Sequence, residues 1–186
     1  MRILLGLYIG SIRTWIADRG LMSDLHEHNL YAEYQFDPVD RDALIAALQK
    51  ATSVAAVLHT PEQLKPYECD GFTLLRSLPL LVVMPSNEDE VVQAIKVCAA
   101  MGVPIVARGA GTGLSGGAMP HPQGVLLSLA KLNKILKIDP YARTAIVQPG
   151  VRNLKISQDA AQYGLYYAPD PSSQIACSIG GNVAEN

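Results

Sequence analysis

The sequence predicts an α+β fold, a small mixed α/β subdomain followed by a mixed sheet with flanking helices. Three observations carry that expectation. A strand, helix, strand run occupies Leu80 to Ala107; short β-branched, apolar segments follow between Gly124 and Gln148; and helical periodicity borders both regions. With 186 residues, 49% of them apolar and 17% charged, the chain has the make-up of a folded domain and the length for one sizeable core. Its formal charge of −2 gives no broad cationic field for a phosphodiester backbone, which argues against nucleic acid as a partner. Any phosphate must therefore be held by local donors.

Residues 1–36 read as an N-terminal extension. The opening MRILLGLYIGSIRTW places an arginine before an apolar run, as a secretory leader does. Gly6, Gly10 and Ser11 dilute that run, Arg13 closes it, and no small-x-small cleavage site follows. It is also shorter than the roughly 20 apolar residues that cross a bilayer. Two accounts stand: translation starts at Met22 with an in-frame extension upstream, or the stretch is a real helical arm.

From Asp37 the elements follow in order. Asp37 and Pro38 read as N-cap and first helical residue of a helix reaching about Lys50, with Leu44, Ile45, Leu48 and Ala51 as its apolar stripe. Ser53 to Leu58 suits a short strand, and Thr60, Pro61 and Gln63 form a capping box for a brief helical turn. Tyr67 to Gly71, YECDG, carries an Asp-Gly turn signal. Leu80 to Met84 is a continuous apolar run of strand length, expected to be buried on both faces. Ser86 then caps a helix over 87–101, with Val91, Ala94, Ile95 and Cys98 on one face and Glu88, Asp89 and Glu90 at the positive end of its dipole. Gly102 stops it. Pro104 to Ala107 is the second strand of this βαβ-like unit. Gly124–Leu129, Ile135–Ile138 and Thr144–Gln148 read as further strands, and a polar helix runs from about Val151 to Gln162, its apolar face interrupted by Gln158. The last segment reads as loop, apart from a helix that Ile179-Gly-Gly-Asn would open.

Metal and thiol chemistry find little support. His26 and His28 form a His-x-His pair, but no HExxH and no carboxylate at ligand spacing accompanies His26, His28, His59 or His121, so no metal site is expected. Cys69, Cys98 and Cys177 match neither a zinc pattern nor a CxxC pair and read as small apolar residues in a reducing compartment.

The chemistry-bearing stretch follows the Pro104 strand: Arg108, Gly109, Ala110, Gly111, Thr112, Gly113, Leu114, Ser115, Gly116 and Gly117. Glycine at this density loses backbone entropy on folding, so the chain must gain something that side chains would block, namely close approach of a ligand to main-chain N–H groups. Thr112 and Ser115 add hydroxyl donors. A linker would not follow a buried strand so closely. Gly111, Gly113 and Gly116 satisfy G-x-G-x-x-G, but a Rossmann loop runs straight into a helix, and Pro120 and Pro122 forbid one here. The Walker pattern fails because Gly117 and Ala118 stand where Lys and Ser/Thr are required. What remains is a phosphate loop between strands. A second polar segment, Pro169 to Asn182, offers Ser172, Ser173 and Ser178 hydroxyls and, at Gly180 and Gly181, exposed main chain.

Together RGAGTGLSGG, the VQPGV of Val147 to Val151, YECDG, and YYAPDPSSQIACSIGGNVAEN from Tyr166 resemble the FAD-binding domain of the vanillyl-alcohol oxidase, or PCMH-type, flavoproteins, and within them the branch of the glycolate oxidases and D-lactate dehydrogenases. The resemblance covers residues 37–186 and implies a PCMH-type FAD-binding domain truncated on its C-terminal side. It implies FAD as cofactor, with Gly109 to Gly117 at the pyrophosphate and Pro169, Asp170, Ser172, Ser173, Cys177, Ser178, Gly180, Gly181, Asn182 and Val183 along the ribityl and isoalloxazine side. Arg108 joins the first group, with backbone donors carrying more of the binding than its charge. The implied reaction is oxidation of a small 2-hydroxy acid, glycolate or D-lactate: the α-hydrogen leaves as hydride to the flavin and the hydroxyl loses its proton to a base. Electrons then pass to quinone or to partner subunits, a second flavin subunit and an iron–sulfur subunit. The implied location is cytoplasmic, with any membrane association made through those partners. The His- and Glu-containing motifs and the substrate cap of such proteins lie beyond the equivalent of Asn186, so no residue here is expected to be catalytic. Alternatives are a flavin- or nucleotide-holding fragment without turnover, and a structural partner subunit.

Overall fold

Two strands of nearly unbroken apolar sequence, β2 (Leu81–Val83) and β4 (Val125–Ser128), lie at the centre of a four-stranded sheet and are buried along their whole length. The computed structural model describes residues 36–185; the N-terminal stretch, Met22, and the His26 and His28 pair fall outside them. Sheet order is β1-β2-β4-β3, with β1 (Val57–Leu58) antiparallel to β2, and with β2, β4 and β3 (Ile105–Arg108) mutually parallel. Leu81 stands opposite Val125 and Val83 opposite Leu127.

Side chains alternate across these strands, and each face buries a different set. Leu81, Val83, Val125 and Leu127 meet Leu44 and Leu48 of helix α1 (Arg41–Ala51) and Ala94 and Cys98 of helix α3 (Glu88–Ala100). On the other face, Val82 and Leu126 meet Leu64 of the short helix α2 (Pro61–Leu64), with Leu58, Tyr67, Met84 and Val106 around them. The capping box expected at Thr60 forms: Gln63 Oε1 accepts from the His59 and Thr60 amides at 3.0 and 3.2 Å.

Several element ends differ from the sequence reading. Helix α1 is capped by Asp40, not Asp37, because Asp40 Oδ1 accepts from the Asp42 and Ala43 amides at 3.0 and 3.1 Å. Residues Val54–Ala56 form a 3₁₀ turn, leaving only the two residues of β1 to pair with β2. Helix α3 is capped by Asn87, whose Oδ1 accepts from Glu90 N at 2.9 Å; Ser86 instead donates its amide and hydroxyl to Glu90 Oε2 at 2.7 and 2.9 Å. Ile95 is 44% exposed, since the buried stripe runs through Val91, Ala94 and Cys98, with Val97 and Met101 beside it. The β2–α3–β3 unit does not pair its own strands: β4 is inserted between them.

An antiparallel hairpin of β5 (Ile135–Asp139) and β6 (Thr144–Val147) follows. Helix α4 (Asn153–Ala160) begins two residues later than expected and continues as a 3₁₀ turn to Gly164, which is left-handed at φ 68°. Its buried face is Asn153, Ile156 and Ala160, so Gln158 points to solvent and interrupts nothing. The helix expected to open at Ile179-Gly-Gly-Asn forms as α5 (Ile179–Glu185). All three cysteines are free. Burial pushes the Cys98 thiol up to about 11, which keeps it neutral and unreactive at ordinary pH. No helix among the described residues is long and apolar enough to cross a membrane.

Candidate functional site

Parallel neighbours need a connection that returns along the sheet, and that role is usually filled by a helix. Between β3 and β4 it is filled by residues 109–124 without one. The glycine loop therefore leaves the carboxyl end of β3, the edge at which parallel sheets place their ligands. Gly111 and Gly116 are left-handed at φ 71° and 76°, which turns the loop back on itself. Among the described residues, no main-chain N–H from Ala110 to Gly117 donates to a protein acceptor. Main-chain donors left open side by side in one loop are a ready anion cradle.

The second segment reaches the same edge by way of VQPGV. Gly150 packs against the Leu129 and Leu132 carbonyls just beyond β4, with its own amide donating to Leu132 O at 2.7 Å. Ile179 N donates to Val151 O at 2.8 Å and Gly180 N to Pro149 O at 2.9 Å, which seats the start of α5 beside the glycine loop. Gly109 lies against the Ser178 hydroxyl, where a Cβ would collide, and Gly113 lies against the Glu185 carboxylate in the same way. Ser178 is 4% exposed, and its Oγ and Asn182 Nδ2 are buried without a partner among the described residues. A buried donor left unpaired costs about 1–3 kcal/mol, so two of them beside a row of free amides mark a place where a ligand acceptor completes the bonding.

Of the residues expected in the site, Gly109 to Gly117 and Cys177 to Asn182 are thus brought together. Leu114 and Val183 are exposed at its rim, at 72% and 74%. Pro169, Asp170 and Ser172 are exposed as well, and the hydrogen bonds of Pro169 to Ser173, among the described residues, run to Asn153 or within the segment. Arg108 lays its guanidinium against Gly111 and spends it on the protein: its Nη1 donates to Cys69 O at 2.7 Å, and its Cζ lies 5.7 Å from the Tyr67 ring centroid. Burial lowers its pKa, and the Asp70 charge opposes that. Its charge is therefore committed to the Tyr67–Gly71 turn.

Sequence reasoning missed two contributors. Asn153, 1% exposed, donates its side-chain amide to Pro169 O at 3.2 Å and its main-chain amide to Cys177 O at 3.1 Å, so one residue holds the second segment at its start and again at Cys177. Asp70, 4% exposed, accepts from Phe72 N at 2.9 Å and from Ala118 N at 3.4 Å, tying YECDG to the far end of the glycine loop. The Asp-Gly turn signal was the available clue to the second; nothing in the sequence pointed to the first. The described residues hold no group of three or more His, Cys, Asp or Glu suited to a metal ion.

Unpaired amides, orphaned donors and glycines at close approach fit an acceptor rich in oxygen, and a dinucleotide diphosphate is such a group. Fold and site together fit a dinucleotide-holding domain. Residues 79–186 match the FAD binding domain family, and the chain belongs to that family, whose cofactor is FAD. It is 54% identical over 165 residues to the glycolate oxidase subunit GlcD of Escherichia coli (strain K12), covering 89% of this chain and 33% of that protein. It is 40% identical over 111 residues to a D-lactate dehydrogenase of Anaerostipes hadrus, covering 60% and 23%. Among solved structures it resembles p-cresol methylhydroxylase with substrate bound, at a TM-score of 0.59 and 26% identity, over 67% of this chain and 25% of the other. The chain thus spans about a third or less of the length of the curated relatives it matches.

Proposed function

We propose that this chain is the FAD-binding part of a flavin-dependent 2-hydroxy-acid dehydrogenase that oxidises glycolate or D-lactate to the 2-oxo acid. The observation that carries the reading is the row of unpaired amides at the carboxyl end of β3, facing the orphaned Ser178 hydroxyl across Gly109. The names of the relatives support the substrate class.

In this reading the Gly109–Gly117 amides bind the diphosphate, with the Thr112 and Ser115 hydroxyls adding donors. Pro169, Asp170, Ser172, Ser173 and Cys177 to Val183 line the flavin side, and Asn153 holds that wall in place. FAD, when bound, supplies the acceptor for the substrate hydride. The chain's own part is to fix its orientation and to screen its phosphates from water; acid–base chemistry falls to residues of the protein outside this stretch. The domain begins at Asp37, before the family match, because Val39, Leu44 and Leu48 share one core with β2 and β4. Electrons pass to quinone or to partner subunits, a second flavin subunit and an iron–sulfur subunit, and any membrane association is made through them. The exposed Leu136, Tyr141 and Ile146 of the hairpin support a covered surface there.

The test uses the whole protein that contains this chain, purified and assayed with glycolate, D-lactate and an artificial electron acceptor. Flavin absorbance with turnover of one of the two acids is the expected result. A flavin-replete protein inactive on both would reduce the function to cofactor holding.

A further inference from the structure

The Tyr67–Gly71 turn lies about forty residues before the glycine loop in sequence, yet it touches that loop at its start, middle and end. At the start, Arg108 Nη1 donates to Cys69 O at 2.7 Å. At the end, Asp70 Oδ2 accepts from Ala118 N at 3.4 Å, while Oδ1 closes the turn on Phe72 N at 2.9 Å. In the middle, a Cβ built on Gly71 would stand 2.7 Å from both Thr112 O and Gly113 O.

The middle contact fixes more than position. Two successive carbonyls of the loop face Gly71. In a trans peptide the C=O and the N–H of the next residue point in opposite directions. The amides paired with those carbonyls, Gly113 N–H and Leu114 N–H, must then point away from the turn. Two adjacent N–H groups directed the same way form the anion-binding nest.

We propose that the Tyr67–Gly71 turn is a brace that sets the peptide orientation of the glycine loop, with Gly71 as the positioning residue that makes Gly113 N–H and Leu114 N–H the principal diphosphate donors. This rests on the FAD reading given above. The absence of a side chain at Gly71 lets the two carbonyls close on the turn. A methyl group there would meet backbone oxygens, which cannot rotate aside as a flexible side chain can.

The test is titration of the full chain with FAD and with riboflavin, which lacks the diphosphate, in the wild type, Gly71→Ala and Asp70→Asn. For Gly71→Ala, the FAD affinity is expected to fall at least about tenfold with riboflavin affinity unchanged, because only the diphosphate contacts are disturbed. Asp70→Asn, which weakens the acceptor for Ala118 N, is expected to lower the FAD to riboflavin ratio by a few fold, and it decides the matter should Gly71→Ala not fold. A folded Gly71→Ala protein with wild-type FAD affinity, or an equal loss for both ligands, would overturn the brace; so would an unchanged ratio in Asp70→Asn. Wild-type chain that ignores FAD would instead overturn the reading beneath it.

Discussion

Gly111→Ala is expected to lower FAD affinity by more than about tenfold while leaving the secondary structure intact. Gly111 sits at φ 71°, where an L side chain costs roughly 1–2 kcal/mol. Its missing Cβ would also fall on the Arg108 guanidinium. Arg108 could yield only by leaving Cys69 O and the Tyr67 ring, and that would release one anchor of the loop. Relaxation by either route tilts the amides away from a common centre. Hydrogen bonds to a charged phosphate are worth about 1.5–3 kcal/mol each, so misdirecting one gives the tenfold loss and misdirecting two gives a hundredfold loss or more. Gly164→Ala is the matched control. Gly164 is equally left-handed at φ 68°, has nothing within 4 Å of its Cβ position, and lies at the far end of α4. It should share the backbone strain and leave FAD titration unchanged. Equal FAD affinity in Gly111→Ala and wild type would remove the loop from the site.

Asn153→Ala is the second substitution expected to have a large effect, this time on stability. The side chain is almost wholly buried, and its amide is the hydrogen-bond donor to Pro169 O. Truncation strands that carbonyl and empties the volume beneath the second segment, at a cost of about 1–3 kcal/mol. Removing Asn153 Oδ1, itself buried and unpartnered among the described residues, offsets part of the loss. For a chain of this size the balance corresponds to a fall of roughly 2–8 °C in Tm. The main-chain bond from Asn153 N to Cys177 O survives, so the loosening should concentrate at the Pro169 end. Hydrogen exchange is expected to quicken at Gln174, whose amide donates to Pro171 O, and to hold steady in β2 and β4. An unchanged Tm with unchanged exchange would show that the tether contributes nothing.

The glycine loop was legible in the sequence because its signals were local: dense glycine after a strand, and Pro120 and Pro122 where a helix would otherwise begin. The central strands were legible for a similar reason, as apolar runs bounded by proline and glycine. Helix starts slipped by one to three residues where neighbouring side chains compete for the same cap, as with Asp37 and Asp40, or Ser86 and Asn87. Strand order was beyond reach, because the insertion of β4 between β2 and β3 rests on pairing between segments far apart in the chain. The roles of Asp70, Gly71 and Asn153 were hidden for the same physical reason. Each acts through a partner that the fold, not the local sequence, brings within reach, as the 39-residue separation of Arg108 and Cys69 shows.

The most direct measurement follows the loop amides themselves. The ¹⁵N-labelled chain is titrated with FAD, and the shift of each assigned amide is recorded. The expected result is that the largest changes fall on Ala110 to Gly117, led by Gly113 and Leu114, with Ser178 moving alongside. Saturable FAD binding with those amides unmoved would contradict the assignment of the diphosphate to this loop.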